Sequence, residues 1–369
     1  MRPSFIINNS LSLSFFLPIT LFFFFFSSPV LSLGSIVVEP VELPNCDNIP
    51  PGTQNCYYRI IYKTDLCTHR NPCDKLLVYW SGGEQSVKDG NYDATMKTWA
   101  RRGYVAVAAQ PFDDAKEAGK YPYFYDQERL SYITKVIREN VTSIWSGEYF
   151  VFGGVSRGAT SPPISVANGN LFNNYPEIWT GTQGTAVVLF DGISNTATWE
   201  EWLSSQDEGV TGDCYELHSR TVGRYGEGSP LAHSCNNHKC YCSNPKSKDV
   251  WSNDSLVIGS DYPPSPYNCS VFSLSKGSDQ QQKSNSSFTV WYRFTACEGK
   301  ELPPCNPYGD IVPTPQQQLP YEALTNCDPS YQIITSFEVI EECGHSLCGG
   351  ASVCGSVSTI DWLKEQWGE

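Results

Sequence analysis

The sequence is poor in basic residues and in histidine. It has 25 lysines and arginines against 39 aspartates and glutamates, a net charge of -14, and no Lys/Arg-rich block. Because an acidic surface repels phosphate, nucleic acid is excluded as an expected partner. Only five histidines occur among 369 residues. The candidates for a catalytic base are therefore few.

Long hydrophobic runs are missing after the first 34 residues. The apolar stretch 15–26 follows Arg2 and precedes the small residues Ser32 and Gly34. About a dozen residues is too short to cross a bilayer, which takes roughly 20. We therefore predict a secretory signal peptide over residues 1–34, and a secreted protein with no stable membrane span after cleavage. An uncleaved anchor is the alternative, because the charged region before the stretch is short.

Cysteine, in contrast, is plentiful, with 15 in the chain. In an oxidising compartment most of them should form disulfides, and the odd count leaves at least one free or bonded to another chain. The segment Cys235-x-x-His238-x-Cys240-x-Cys242 has the ligand types for zinc but not a standard spacing. We expect disulfides there, no metal and no cofactor.

Four tripeptides fit the N-glycosylation pattern. If a eukaryote made the chain, they predict exposed surface. Their acceptor residues are Asn140, Asn253, Asn268 and Asn285.

Short apolar runs recur along the chain with helical or loop segments between them, which is typical of an α/β fold with a mainly parallel sheet flanked by helices. The predicted strands are 57–62, 76–80, 104–109, 148–152, 186–190, 288–296 and 332–340. The predicted helices are 93–102, 126–140 and one from about Ser358, where Asp361 would complete a capping box.

The strand pattern is interrupted between residues 196 and 287. This segment holds five cysteines and many Ser, Asn, Asp, Gly and Pro residues, with only short apolar runs. A stretch this long without periodicity inside a domain is typical of a lid or insertion. We predict an α/β core over 35–195 and 288–369, and a disulfide-rich cap over 196–287.

The pentapeptide Gly154-Val155-Ser156-Arg157-Gly158 directly follows the predicted strand 148–152. A serine at a sharp strand-to-helix turn between two small residues has the pattern of an activated nucleophile. A glycine-rich loop without catalytic function is the alternative. We predict that Ser156 is the nucleophile.

A serine nucleophile needs a base to accept its proton. His345 follows the last predicted strand, where a loop can bring it over the serine. His233 and His238 lie in the predicted cap and are weaker candidates. A histidine that only stabilises its loop is the alternative for His345.

The base in turn needs a carboxylate that orients it. Asp310 follows the strand 288–296 and is our candidate, with Asp191 and Glu298 as competitors. About a dozen residues separate the strand from Asp310. A disulfide between Cys297 and Cys305 could hold this excursion in place.

Backbone N–H groups are needed to stabilise the oxyanion that forms during acyl transfer. Gly82 and Gly83 follow the strand 76–80, and Arg157 follows the serine. We predict that these three residues form the oxyanion hole. For Gly82 and Gly83, a simple tight turn is the alternative.

Taken together, these residues resemble the α/β-hydrolase superfamily from Tyr57 to Trp367. The order Ser156, Asp310, His345 matches its Ser…Asp…His order, and a cap after the sixth strand is usual there. The resemblance implies that Ser156 is the nucleophile, His345 the general base and Asp310 its orienting partner. The chain departs from the pattern at Pro162-Pro163, which predicts a short or kinked helix after the serine.

The sequence therefore favours a secreted serine hydrolase that cleaves a carboxylic ester, in a small molecule or a polymer, through an acyl-enzyme on Ser156. A serine peptidase of the same superfamily is one alternative. A hydrolase-like module that binds a partner and does no chemistry is another. Aromatic residues of the predicted cap could line an acyl pocket or form the cap's own core.

Overall fold

Eight strands and four helices make up the regular structure of the described residues. The computed structural model describes residues 34–44, 46, 55–82, 86–111, 127–156, 158–160, 162–163, 184–192, 289–298, 315–329, 332–341 and 351–369. The strands are β1 (Ile36–Leu43), β2 (Cys56–Lys63), β3 (Cys73–Trp80), β4 (Tyr104–Gln110), β5 (Trp145–Val155), β6 (Gly184–Phe190), β7 (Thr289–Glu298) and β8 (Ile333–Glu341). The helices are α1 (Asp93–Ala100), α2 (Gln127–Val141), α3 (Pro315–Thr325) and α4 (Ala351–Trp367).

All eight strands form one sheet in the order β1-β2-β4-β3-β5-β6-β7-β8. Strand β2 runs antiparallel to both of its neighbours. Every pairing from β4 to β8 is parallel. The α/β class with a mainly parallel sheet is therefore confirmed, and the carboxyl ends of six parallel strands meet at one edge.

Successive strand residues point to opposite faces of the sheet, so strands that are apolar throughout must be covered on both faces. Helices provide that cover. On one face, Ile133 and Ile137 of α2 pack with Phe150 and Phe152 of β5. Both faces are fully buried near β5. Each such side chain contributes about 1.5–3 kcal/mol when it is removed from water.

The opposite face is covered by α1 and α4. Trp99 of α1 packs edge-on against Tyr104 of β4, with ring centroids 4.8 Å apart. Ile360 and Leu363 of α4 are fully buried against the same side of the sheet. The apolar residues of this last helix therefore face the sheet.

The start predicted for the last helix is wrong. The helix begins at Ala351 rather than near Ser358, so Ser358 lies inside it, and its hydroxyl donates to Glu338 at 2.6 Å and lies 3.2 Å from the carbonyl oxygen of Gly355. Asp361 pairs with Arg102 at 3.0 Å instead of completing a capping box. A Ser-x-x-Asp pattern can occur inside a helix when tertiary contacts engage both side chains.

Two elements were not predicted, the edge strand β1 and the helix α3. Strand β1 contains Pro40, which an edge strand tolerates because it needs no second ladder of hydrogen bonds. Helix α3 contains Pro320 in its interior and begins at Pro315. Proline weakens the signal of both elements.

Disulfides join Cys46 to Cys56 and Cys67 to Cys73. Cys327 is also disulfide-bonded. Pairing of these cysteines agrees with the expectation that most of the 15 are oxidised. All residues of the predicted cap lie outside the described residues, as does the predicted signal peptide up to residue 33.

Within the described part of the chain, no helix is long and apolar enough to cross a membrane.

Candidate active site

Strand β5 ends at Val155, and the chain turns sharply at Ser156. Ser156 has φ +55°, a left-handed conformation that a residue with a side chain seldom adopts. Its N–H donates to the carbonyl oxygen of Phe190 on β6, at 3.0 Å, and its own carbonyl oxygen accepts from the N–H of Ala159, at 2.9 Å. The strained turn is thus held by the adjacent strand on one side and by a helical turn on the other.

Two glycines let the turn close against strand β3. A β-carbon on Gly158 would overlap the carbonyl oxygen of Trp80 and lie 2.5 Å from that of Ser81. A β-carbon on Gly154 would lie 2.7 Å from the carbonyl oxygen of Trp80. Neither distance is possible for a real side chain, because backbone cannot move away as a flexible side chain does. The small residues predicted on both sides of Ser156 are therefore required.

Ser156 lies at the carboxyl edge of the sheet, where its strand β5 is flanked by β3 and β6. A left-handed serine between two packed glycines, at a sharp turn after the fifth strand of a sheet in this order, is typical of one known fold. The chain has the α/β-hydrolase fold. Helical residues 158–160 and 162–163 follow the serine, and they include the Pro162-Pro163 pair.

Solved α/β-hydrolase structures are similar to this chain at low identity. A highly thermostable carboxyl esterase from Bacillus coagulans is 13% identical, with a TM-score of 0.45 over 90% of this chain and 99% of the esterase. An S-formylglutathione hydrolase from Agrobacterium tumefaciens is 10% identical, with a TM-score of 0.45 over 90% of this chain and 95% of that protein.

An acylaminoacyl peptidase from Pyrococcus horikoshii is 11% identical, with a TM-score of 0.48 over 90% of this chain. The chain spans 42% of that peptidase's length. No protein-family model and no curated protein sequence matches the chain. The fold assignment therefore rests on the strand order and on the turn at Ser156.

Of the three predicted oxyanion-hole residues, Gly82 is described and lies beside the serine. A β-carbon on Gly82 would be 3.5 Å from the β-carbon of Ser156, which is ordinary contact. The N–H of Gly82 donates to the hydroxyl of Tyr92, at 2.6 Å. Gly83 and Arg157 lie outside the described residues, and their predicted roles remain predictions.

The predicted base His345 and the predicted acid Asp310 also lie outside the described residues, as do His233 and His238. The strands that precede Asp310 and His345 in the sequence are β7 and β8. Both run parallel to β5 and end at the same edge of the sheet. The carboxyl ends of β7 and β8 therefore lie on the same side of the sheet as Ser156.

The competing acid Asp191 directly follows strand β6. It is fully buried and has φ +50°, and its N–H donates to the carbonyl oxygen of Thr295, at 2.7 Å. Asp191 is thus a strained, buried carboxylate one strand away from the serine. Glu298, the other competitor, is the last residue of β7.

Two residues with contacts to this site did not stand out in the sequence. Tyr92 precedes α1 and contacts Gly82 across ten residues of chain. Gln317 of α3 is buried and donates its side-chain amide to the carbonyl oxygen of Gly192, whose own added β-carbon would lie 2.7 Å from that of Ala159. Neither residue belongs to a sequence motif. Each contact joins residues that are distant in the sequence, so no local pattern predicts it.

Among the predicted glycosylation sites, Asn140 is described, and the other three lie outside the described residues. Asn140 is exposed at the end of α2, and its Nδ2 donates to the hydroxyl of Tyr58. Burial raises the pKa of Tyr58, and this hydrogen bond opposes the rise. The atom that would carry a glycan therefore already has a partner.

In the described part of the chain, no group of three or more His, Cys, Asp or Glu side chains could hold a metal ion. The segment around Cys235 and His238 lies outside it.

Proposed function

We propose that the chain is a secreted serine hydrolase that cleaves a carboxylic ester through an acyl-enzyme on Ser156. The observation that carries the proposal is the conformation of Ser156, with φ +55° between two glycines packed on backbone. Proteins keep such strain where function uses it. Here it places a partly exposed serine at the carboxyl edge of the sheet.

Acylation would begin with attack of the Ser156 hydroxyl oxygen on the ester carbonyl carbon. His345 takes the serine proton as the new C–O bond forms, and Asp310 orients the imidazole. The carbonyl oxygen then carries the negative charge of the tetrahedral intermediate. Its collapse breaks the bond to the alcohol, which leaves with the proton from His345.

Deacylation repeats the sequence with water as the nucleophile. His345 takes a proton from water, the hydroxide attacks the acyl carbon, and the serine leaves as its oxygen recovers that proton. Backbone N–H groups of Arg157 and of the Gly82-Gly83 loop would stabilise both oxyanions. Loss of one such donor costs about a hundredfold to a thousandfold in rate.

Labelling with a fluorophosphonate probe tests the proposed nucleophile directly. We expect the wild type to react at one serine and the Ser156→Ala variant to lose both labelling and ester hydrolysis, by about four to six orders of magnitude in rate. The substitution keeps the β-carbon, so the left-handed turn is retained. Labelling that persists in Ser156→Ala, with the modified residue located by mass spectrometry, would show that the assignment is wrong.

A panel of aryl and alkyl esters beside peptide amides separates the functions that a nucleophilic serine permits. Hydrolysis of esters with no cleavage of amides supports the proposal. Faster cleavage of amides favours a peptidase. No reaction of the folded wild type with probe or substrate favours a binding module. The variant His345→Ala, measured on the same esters, tests the predicted base.

A further inference from the structure

Tyr92 connects the candidate oxyanion loop to a rigid part of the fold. Its side chain is 2% exposed, and its hydroxyl accepts the N–H of Gly82 at 2.6 Å. Gly82 lies beside Ser156, because a β-carbon added to Gly82 would be 3.5 Å from the β-carbon of the serine and equally far from the Tyr92 hydroxyl. The tyrosine therefore holds a peptide that lies beside Ser156.

The segment that carries Tyr92 is anchored on both sides. Asp93, the next residue, accepts two hydrogen bonds from Arg59 of β2, at 2.8 and 2.9 Å. The N–H of Val87 donates to the buried side-chain oxygen of Gln110 at the end of β4, at 2.6 Å. A paired charge and a buried amide thus tie residues 86–93 to two strands of the sheet.

The ring of Tyr92 is also fixed. It packs against Tyr79 of β3, with ring centroids 5.8 Å apart. The ring of Tyr92 is buried, and the next residue, Asp93, is held by two hydrogen bonds from Arg59. The hydroxyl of Tyr92 therefore has little freedom to move. Donors to an oxyanion work best when they need no rearrangement during the reaction. The contacts around Tyr92 provide that kind of support for the loop that begins at Gly82.

We propose that Tyr92 is a positioning residue of the oxyanion loop. By accepting the N–H of Gly82 it holds the peptide at which the oxyanion loop begins, so that this part of the loop needs no rearrangement when the oxyanion forms. The N–H of Gly82 is then used for structure, which leaves Gly83 and Arg157 as the predicted donors to the oxyanion. This inference rests on the proposed function, because it needs Ser156 to be acylated.

The test compares Tyr92→Phe with the wild type on an ester and on the matching thionoester, whose sulfur is a poor acceptor for oxyanion donors. Tyr92→Phe keeps the ring and removes only the hydroxyl. We expect kcat on the ester to fall roughly ten- to a hundredfold with KM within about twofold. The ratio of ester to thionoester kcat/KM should fall as well. That ratio does not depend on how much of the enzyme is folded.

Tyr104→Phe is the matched control, since it also removes a buried tyrosine hydroxyl on the same face of the sheet. Tyr104 is the first residue of β4, at the edge opposite the serine. We expect its rates and its ester-to-thionoester ratio to equal those of the wild type. A Tyr92→Phe enzyme with unchanged kcat, or with lower activity but an unchanged ratio, would overturn the inference.

The two proposals fail in different ways. If the wild type neither reacts with the fluorophosphonate probe nor cleaves esters, the proposed function is wrong. If the wild type does both and Tyr92→Phe matches it in kcat and in the ratio, the function stands and the role of Tyr92 is wrong.

Discussion

Gly158 is the residue on which the turn at Ser156 depends most. Its Cα faces the carbonyl oxygens of Trp80 and Ser81 so closely that a methyl group has no space. We therefore expect Gly158→Ala to push the turn away from β3, to lower the free energy of unfolding by about 3 kcal/mol and to abolish probe labelling. Chemical denaturation and labelling kinetics measure the two effects.

Gly103→Ala is the control for Gly158→Ala. Gly103 has φ +86°, and nothing lies within 4 Å of an added β-carbon. Its substitution should cost about 1–2 kcal/mol through backbone conformation alone and leave labelling unchanged. If Gly158→Ala labels as fast as Gly103→Ala, the close packing behind the serine is not needed for its reactivity.

At the scale of single residues, the sequence predicts what is local. The strand before Ser156 and the glycines on either side predict the strained turn, because all of them lie within a few residues. The hydrogen bond from Gly82 to Tyr92 could not be predicted, since it depends on how ten residues of loop fold back. The roles of Asp310 and His345 remain predictions, because both residues lie outside the described part of the chain.

Helix α3 is joined to the active-site edge of the sheet through Gln317. The side-chain amide of Gln317 is buried and donates to the buried carbonyl oxygen of Gly192, directly after Asp191. The Gln317→Met variant keeps the volume and removes the donor. We expect the free energy of unfolding to fall by about 1–3 kcal/mol, because the carbonyl oxygen is left without this partner in the interior. Urea denaturation measures the change.

The neighbouring residue gives a matched control in the same helix. Gln318 is exposed and donates to Glu322 one turn later, at 2.8 Å. Its replacement by methionine should change the free energy of unfolding by no more than about 0.5 kcal/mol. Equal effects of the two substitutions would mean that the contact of Gln317 with Gly192 adds nothing to the stability of the fold.

At the scale of elements, the pattern of apolar residues predicts the apolar strands correctly and the less apolar elements poorly. Strands β2 to β8 were all predicted, because each is a short run of apolar and β-branched residues. Helix α4 begins earlier than predicted. Its first turns contain Gly355, a residue type that is common in loops. Here the glycine lets the helix pack closely against Phe190, because an added β-carbon would lie 2.8 Å from that ring.

For the molecule as a whole, the alternation of strands with helical or loop segments predicts a mainly parallel sheet, and that is confirmed. It does not predict the order of the strands or the reversal of β2. The strand order and the direction of β2 depend on how the connections between strands pass across the sheet. Those paths are a property of the whole chain. The Cys-rich segment stays a predicted cap, since its composition alone distinguishes it from the core.

Global stability at alkaline pH should depend on Tyr104. Full burial, together with Glu369 and Asp74, raises its pKa well above the usual value of 10, and its hydroxyl has no hydrogen-bond partner among the described residues. The unfolded chain loses this proton near pH 10, whereas the folded chain keeps it. Stability is therefore complete below about pH 10 and falls above it, by up to about 1.4 kcal/mol per pH unit. Tyr104→Phe should flatten that fall in urea titrations from pH 8 to 11, whereas parallel curves would contradict it.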